Sequence, residues 1–321
     1  MNWLITGGCG FIGRSLVARL LANEGYSIRV YDNLSVGTLA DLGDVTEFEV
    51  VARAARWGSK VEVIRSDISD FEALVRAAEG ADVIVHLAAN TGVAPSVEDP
   101  RSDCETNVLG TLNVLEAARA LGKPKVVFAS SGAPLGVQTP PLHEEMAPHP
   151  ASPYGASKLA GEGYCSAYYH CFGLETVALR FGNVYGPRSG HKMSVVAKFI
   201  KLALAGESLE IYGDGKQTRD FIFIDDLVDA IYQAGTMADI GGHTFQIATS
   251  SETTVYELTD KLVAALEKCG IDNVETVFGD KRPGDVERNF SDTSKAHSIL
   301  GWEARTSLEQ GLLRTVKYFL N

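Results

Sequence analysis

Hydrophobic positions along this chain switch between two spacings, and the switching draws a repeated strand and helix pattern. Short β-rich runs at Asn2–Thr6, Ile28–Tyr31, Val61–Arg65, Asp82–His86 and Val126–Ser130 alternate with helix-spaced stretches after Gly13, around Phe71–Ala78 and near Cys104–Leu121. Strands separated by helices predict βαβ units, hence an α/β fold built on a doubly wound parallel sheet. Pro153–Phe172 reads as another helix and Glu175–Phe181 as a further strand, near which the sheet is expected to end. Between the second and third strands, Asp41–Lys60 contains a helical run, Phe48–Trp57, of no assignable purpose.

Beyond Gly182 the elements become shorter and mixed. A helix is expected at Val195–Ala205, a Gly-rich turn at Tyr212–Gly215 and a strand at Phe221–Ile224, after which Asp225-Asp226 caps another helix. This predicts two parts: residues 1–182 forming the main domain, and residues 183–321 forming a smaller α/β lobe interwoven with it around 219–248.

Composition narrows the class. The 321 residues are 45% hydrophobic and 22% charged, which excludes disorder as the dominant state and allows a large core. Forty-one acids against 29 bases give a net charge of −12, which disfavours binding to DNA or RNA without excluding a small anionic ligand. Five cysteines include no Cys-x-x-Cys pair, and the seven histidines form no ligand-spaced cluster with them, so no metal site is expected. With no apolar run approaching the ~20 residues that cross a bilayer and no secretory leader pattern, the expected location is cytoplasmic, away from membranes.

The first candidate site follows the first strand. In Thr6-Gly7-Gly8-Cys9-Gly10-Phe11-Ile12-Gly13, Gly7 permits a tight turn, Gly10 lets a pyrophosphate approach the helix N-terminus, and Gly13 allows close helix–sheet packing. Such glycines also mark plain turns; the strand-to-helix context gives these their weight. Asp32 ends the second strand 19 residues after Gly13, where a carboxylate holds the adenine ribose and repels a 2′-phosphate. NAD is therefore favoured over NADP, although Arg14 lies nearby. Asn33 adjoins Asp32. Asp67, with Ile68 beside it, is placed to meet the adenine, or else to cap the next helix. Leu87, Ala88 and Ala89 offer small side chains where backbone must pass close to the cofactor.

The second candidate is Tyr154-Gly155-Ala156-Ser157-Lys158, which sets a phenol and an ammonium on one helix face. Among 11 tyrosines a Tyr-x-x-x-Lys match arises readily by chance, so position carries the argument. The pair falls one connection after Ser130-Ser131 at the end of the fifth strand, where α/β sites form. A tyrosine acting as base near neutrality needs its pKa of ~10 lowered by about three units, roughly 4 kcal/mol. Lys158 and a positive nicotinamide ring together supply that order of energy at ~4 Å and an effective dielectric of ~20. Ser131 would hold the reacting hydroxyl toward Tyr154.

These segments, with YDNLS (31–35), HLAA (86–89), NVLGTLNVLEA (107–117), SPYGASKLAGE (152–162), RFGNVYGPR (180–188), YGDGKQTRDFIFIDDL (212–227) and RPGDV (282–286), resemble the extended short-chain dehydrogenase/reductase family, in its nucleotide-sugar epimerase/dehydratase branch. The resemblance spans essentially the whole chain. It implies a Rossmann sheet with a substrate lobe, NAD as cofactor, Asn107 beside that cofactor, and a homodimer formed through the Cys104–Leu121 and Pro153–Phe172 helices. It further implies that Asn183, Arg219 and Arg282 grip the diphosphate of a sugar nucleotide, with Asp285 on its ribose and Asn289 near the sugar. Arg219-Asp220 alternatively reads as a structural ion pair.

Dehydratases and decarboxylases of the branch keep acids directly after the fifth strand, where this chain has Ser131-Gly132-Ala133. The resemblance therefore implies a UDP-sugar epimerase working at C4 through a keto sugar. Dehydration or decarboxylation with an acid from Glu144 or Glu145 is the second reading, and a non-catalytic NAD-sensing scaffold the third. Pro134 and Leu135 depart from the family's Val-Tyr, removing a phenol and an amide donor beside the sugar. Cys9, where the family often has Ala, reads as small-residue packing. His191-Lys192 could meet a phosphate or a uronate carboxylate, or lie in an exposed loop.

Overall fold

The protein is described from a computed structural model that covers residues 1–52, 57–58, 61–192, 194–281 and 286–320. Its strands in chain order are β1 (Asn2–Thr6), β2 (Ser27–Asp32), β3 (Glu49–Val50), β4 (Val61–Arg65), β5 (Val83–His86), β6 (Lys125–Ser131) and β7 (Thr176–Phe181), then β8 (Asn183–Tyr185), β9 (Leu209–Tyr212), β10 (Thr218–Arg219), β11 (Phe221–Phe223), β12 (Thr244–Ile247), β13 (Thr253–Thr254) and β14 (Thr276–Gly279). The helices are α1 (Phe11–Leu21), α2 (Leu39–Gly43), α3 (Phe71–Ala78), α4 (Val93–Glu98), α5 (Pro100–Cys104), α6 (Gly110–Ala120), α7 (Pro153–Phe172), α8 (Val195–Leu204), α9 (Ile224–Thr236), α10 (Val255–Glu267) and α11 (Leu308–Leu320).

Eight strands form one parallel sheet in the order β12-β7-β6-β5-β1-β2-β4-β3. Because side chains alternate along a strand, Trp3 and Ile5 of β1 face one layer and Leu4 the other. The first layer packs Leu16, Val17 and Leu20 of α1 with Leu227 and Ile231 of α9; the second packs Leu74 of α3, Val114 and Leu115 of α6 and Cys165 of α7. The strand order reverses at β1, whose neighbours are β2 and β5. A crevice at the carboxyl ends follows from that reversal.

Several expectations change. The sheet does not end at Phe181, because β12 returns from the later part of the chain and pairs with β7 from Thr244↔Ala178 to Ile247↔Phe181. Its four residues are too short to stand out in the hydrophobic pattern. The expected helix at Phe48–Trp57 is replaced at its start by β3, which pairs with β4; residues 53–56 lie outside those described. The helix after Gly13 begins at Phe11 instead, capped by Gly10. The single helix expected at Cys104–Leu121 is α5, a π turn at Glu105–Leu109, and α6. Asp225 and Asp226 lie in the first turn of α9, whose N-cap is Phe223. Among the described residues no helix is long and apolar enough to cross a membrane, and no cluster of His, Cys, Asp or Glu could hold a metal.

One buried ion pair ties α7 to the sheet. Arg180 of β7 donates through Nε and Nη2 to the two oxygens of Glu162, at 2.8 and 2.7 Å, and Ser130 of β6 donates to the same carboxylate. Removing one partner strands the other charge in the core, which costs about 3–5 kcal/mol, whereas replacing both by apolar groups of similar volume is nearly neutral. Glu162→Ala is therefore expected to lose about 3–5 kcal/mol in equilibrium denaturation. Glu162→Leu combined with Arg180→Met should recover most of that loss; equal losses in the two variants would contradict the account.

Candidate active site

The glycine loop between β1 and α1 is built by close contact. Gly7 has a φ of +70°, and a Cβ there would lie 2.8 Å from the Ala88 backbone nitrogen at the end of β5. A Cβ on Gly13 would lie 2.5 Å from both the Gly7 oxygen and the Gly8 Cα, so this glycine lets α1 sit tightly on the loop that leaves β1. Helix α1 has neither a side-chain cap nor an acid in its first turn. Its leading amides, from Phe11 onward, are thus left for an anion, and a dinucleotide pyrophosphate fits this cradle.

Asp32, buried at the end of β2, accepts from the Cys9 amide at 2.9 Å and the Leu34 amide at 2.8 Å. Burial raises its carboxyl pKa and these two bonds oppose the rise. Asn33 is exposed and donates to Asp67 at 2.6 Å. Asp67 is not the cap of α3, since Asp70 takes the Ala73 amide; Asp67 instead accepts from Ser69. Burial raises the Asp67 carboxyl, but the bonds from Ser69 and Asn33 outweigh it and leave the pKa low. Ile68 is buried, and Leu87, Ala88 and Ala89 are half-buried beside the loop. Arg14 turns away from Asp32, to Asp41 at 2.7 Å and the Arg188 carbonyl at 2.5 Å. The Cys9 thiol is buried and pushed up to about 12 by burial and by Asp32 and Asp41, which suits packing and not thiol chemistry.

Tyr154, Ser131 and Lys158 do converge. Ser131 lies close enough to the Tyr154 phenol to favour its ionised form. Lys158 is buried, donates to the Ala129 carbonyl at 3.0 Å, and sits 6.0 Å from the Tyr154 ring centroid. Burial lowers the Lys158 pKa to about 8, with Asp103, Cys165 and Glu162 opposing. Burial raises the Tyr154 pKa; Ser131 lowers it, and the charge of Asp103 raises it further. The protein alone therefore holds Tyr154 as a neutral phenol, and the expected lowering requires a positive charge beyond Lys158. Asn107 exchanges bonds with the Asn90 backbone at 2.9 Å and donates to Asp103 and Ser157 at 2.8 and 3.2 Å.

A second cavity of about 340 Å³ is lined by Asn183, Lys192, Lys198, Tyr212, Gln217 and Arg219, among others. Arg219 does not pair with Asp220: its Nη1 donates to the Thr218 and Val286 carbonyls, each at 2.7 Å, while Asp220 accepts from Thr249 and Ser291. Asn289 lies alongside, its amide donating to Thr218 Oγ1 at 3.3 Å. Arg282 and Asp285 lie outside the described residues. Glu144 does not reach the site, because it accepts the Gln246 amide of β12 at 2.6 Å, and Glu145 faces Lys295. Leu135 is fully buried and Pro134 buried with it, so this turn points its side chains into the core. His191 is exposed and bound to Asp41, while Lys192 lines the cavity.

Sequence reading missed two buried groups, Asp103 and His86. The i,i+4 spacing of Asp103 to Asn107 was the available signal for the first. For the second, Thr111 donates to the Asn107 carbonyl at 2.6 Å and so accepts from His86 Nε2 at 3.1 Å, which leaves Nδ1 to accept from Thr6 at 2.8 Å.

The family model described as "NAD dependent epimerase/dehydratase family" matches residues 3–248. A UDP-glucose 4-epimerase of Mycolicibacterium smegmatis is 39% identical over 100% of this chain and 99% of its own length. Among solved structures, a UDP-glucose 4-epimerase of Thermotoga maritima with UDP-glucose is 37% identical with a TM-score of 0.88, covering 100% of this chain and 99% of that one. A UDP-glucuronic acid 4-epimerase of Bacillus cereus, in complex with UDP-glucuronic acid and NAD, is 30% identical with a TM-score of 0.86 at the same coverage.

His86 carries a pH prediction. Burial and the Lys158 charge lower its pKa from 6.5 to about 3. Below pH 6.5 the unfolded chain takes up a proton that the folded protein refuses, so stability falls as pH drops from 6.5 towards 3, by about 1.4 kcal/mol per pH unit for this one group. His86→Gln should remove that increment from unfolding free energies measured across this range. Identical slopes for wild type and variant would contradict it.

Proposed function

This chain belongs to the NAD dependent epimerase/dehydratase family, and we propose that within it the protein is an NAD-dependent UDP-sugar 4-epimerase. The reading covers UDP-hexoses of the glucose, N-acetylglucosamine and glucuronate kinds. The observation that carries it is the convergence of Ser131, Tyr154 and Lys158 at the end of β6, with no acidic residue from Ser131 through His143 to remove water.

NAD when bound supplies a hydride acceptor that later returns the hydride, and a positive ring. Gly7, Gly10 and the first-turn amides of α1 from Phe11 to Gly13 would hold its pyrophosphate, with Asp32 and Asn33 at the ribose and Asp67 and Ile68 at the adenine. Leu87, Ala88, Ala89 and Asn107 would flank it. Tyr154 would take the C4 hydroxyl proton, Ser131 would hold that oxygen in line, and Lys158 would keep positive charge beneath the phenol. Asn183, Arg219 and Arg282 would grip the UDP diphosphate, Asp285 the ribose and Asn289 the sugar end. The keto sugar would turn over in the cavity and regain hydride on its other face.

Helix α7 leaves Tyr164 and Phe172 exposed, and Leu109 is exposed on the π turn before α6, which supports a homodimer through this face. Five unpaired cysteines suit a reducing cytoplasm.

NMR of products from UDP-glucose, UDP-N-acetylglucosamine and UDP-glucuronate, each given separately to the NAD-loaded enzyme, tests the reading. Inversion at C4 without loss of water or carbon dioxide is expected, and either loss would overturn it. Tyr154→Phe should lower kcat by about 10²-fold or more. Full turnover in that variant would remove the proposed base.

A further inference from the structure

The loop that follows β8 carries a cation that the reaction as described does not use. Lys192 is half-buried, lines the cavity with Asn183 and Arg219, and places its ammonium 5.3 Å from the ring centroid of Phe11, the first residue of α1. It thus stands where the sugar-nucleotide cavity meets the dinucleotide loop. The other cations of the cavity are engaged: Lys198 sits against Tyr212, with its ammonium 3.5 Å from the phenol oxygen, and Arg219 is bonded to backbone carbonyls. Burial alone lowers the Lys192 pKa, with no described anion opposing it.

Side-chain and backbone bonds tie the loop down in this position. His191 Nε2 lies 3.0 Å from Asp41 Oδ2, Arg14 bridges Asp41 to the Arg188 carbonyl, and Lys201 donates to the Gly190 carbonyl. The Lys192 amide donates to the Ser189 carbonyl at 2.9 Å, and Ser189 Oγ to the Gly186 carbonyl at 2.7 Å. Arg14 belongs to α1 and Asp41 to α2, so the clasp fastens the loop to the dinucleotide half of the cleft. A desolvated ammonium pinned above an open cavity is preorganised for an anion.

We propose that Lys192 is a ligand of the sugar nucleotide's diphosphate, placed by the Arg14–Asp41–His191 clasp. The inference rests on the UDP-sugar reading, since that reading supplies the diphosphate. A pyrophosphate of the dinucleotide offers the same chemistry across the Phe11 boundary, and the test separates the two.

Calorimetry of UDP, UMP and NAD binding, with UDP and UMP titrated into the NAD-loaded enzyme, compares wild type with Lys192→Met and Lys192→Arg. Lys192→Met is expected to weaken UDP about tenfold or more, as loss of one charge-assisted bond does, and to weaken UMP less. NAD affinity should change less than about threefold, and Lys192→Arg should recover most of the UDP affinity. UDP binding unchanged in Lys192→Met overturns the proposal, as does a loss confined to NAD. A wild-type enzyme that binds no UDP overturns instead the reading on which the proposal rests.

Discussion

Backbones pass very close to one another around the glycine loop, and the cleft is arranged around these approaches. Gly7 passes so near the end of β5 that a Cβ would lie 2.8 Å from Ala88 N, and Gly37 passes so near the glycine loop that a Cβ would lie 2.1 Å from the Cys9 oxygen. With side chains excluded there, the Cys9 amide meets Asp32 and α1 starts with bare amides. Arg14, one turn into α1, is buried and reaches both α2 and the loop after β8. A line of contacts therefore runs from the glycine loop to the loop that carries Lys192 at the edge of the cavity.

The same burial sets the electrostatics of the chemical centre. Lys158 is charged at a cost, reflected in a pKa of about 8, and the Ala129 carbonyl and Asp103 offset part of it. Tyr154 is burdened in the opposite sense, since the protein alone raises its pKa. A neutral phenol is a poor base even beside a lysine that keeps its charge near neutrality. A positive ring bound beside Tyr154 would act against that rise, so the group that supplies the hydride acceptor would also favour loss of the phenol proton.

Legibility in the sequence followed the range of the interaction. Helices α3 and α7 and strands β1 and β4 matched their expected bounds because periodicity and local caps such as Ser152 decide them. Edge strand β12 was missed because β7 and the carboxylate of Glu144, neither of them near in the chain, secure its place. The π turn at Glu105–Leu109 was missed for a like reason: it turns Asn107 toward Asn90, Asp103 and Ser157, and no spacing rule encodes that. At the centre, Ser131, Tyr154 and Lys158 were readable as a set, whereas the direction of the Tyr154 shift depended on burial.

Charge balance is the last constraint that links the parts. A net charge of −12 repels polyanions, yet a screening length of ~8 Å confines the effect of surface acids. Within the cavity Lys192, Lys198 and Arg219 outnumber Glu210, and their low-dielectric surroundings make each cation count for more than one at the surface. Three acids around the cleft are spent on structure: Asp41 fastens the Lys192 loop, Asp220 ties Thr249 to Ser291, and Glu144 anchors β12. With Asp41, Asp220 and Glu144 each bonded within the protein, Glu210 is left as the carboxylate that lines the cavity, facing a local excess of positive charge that the net charge of the chain conceals.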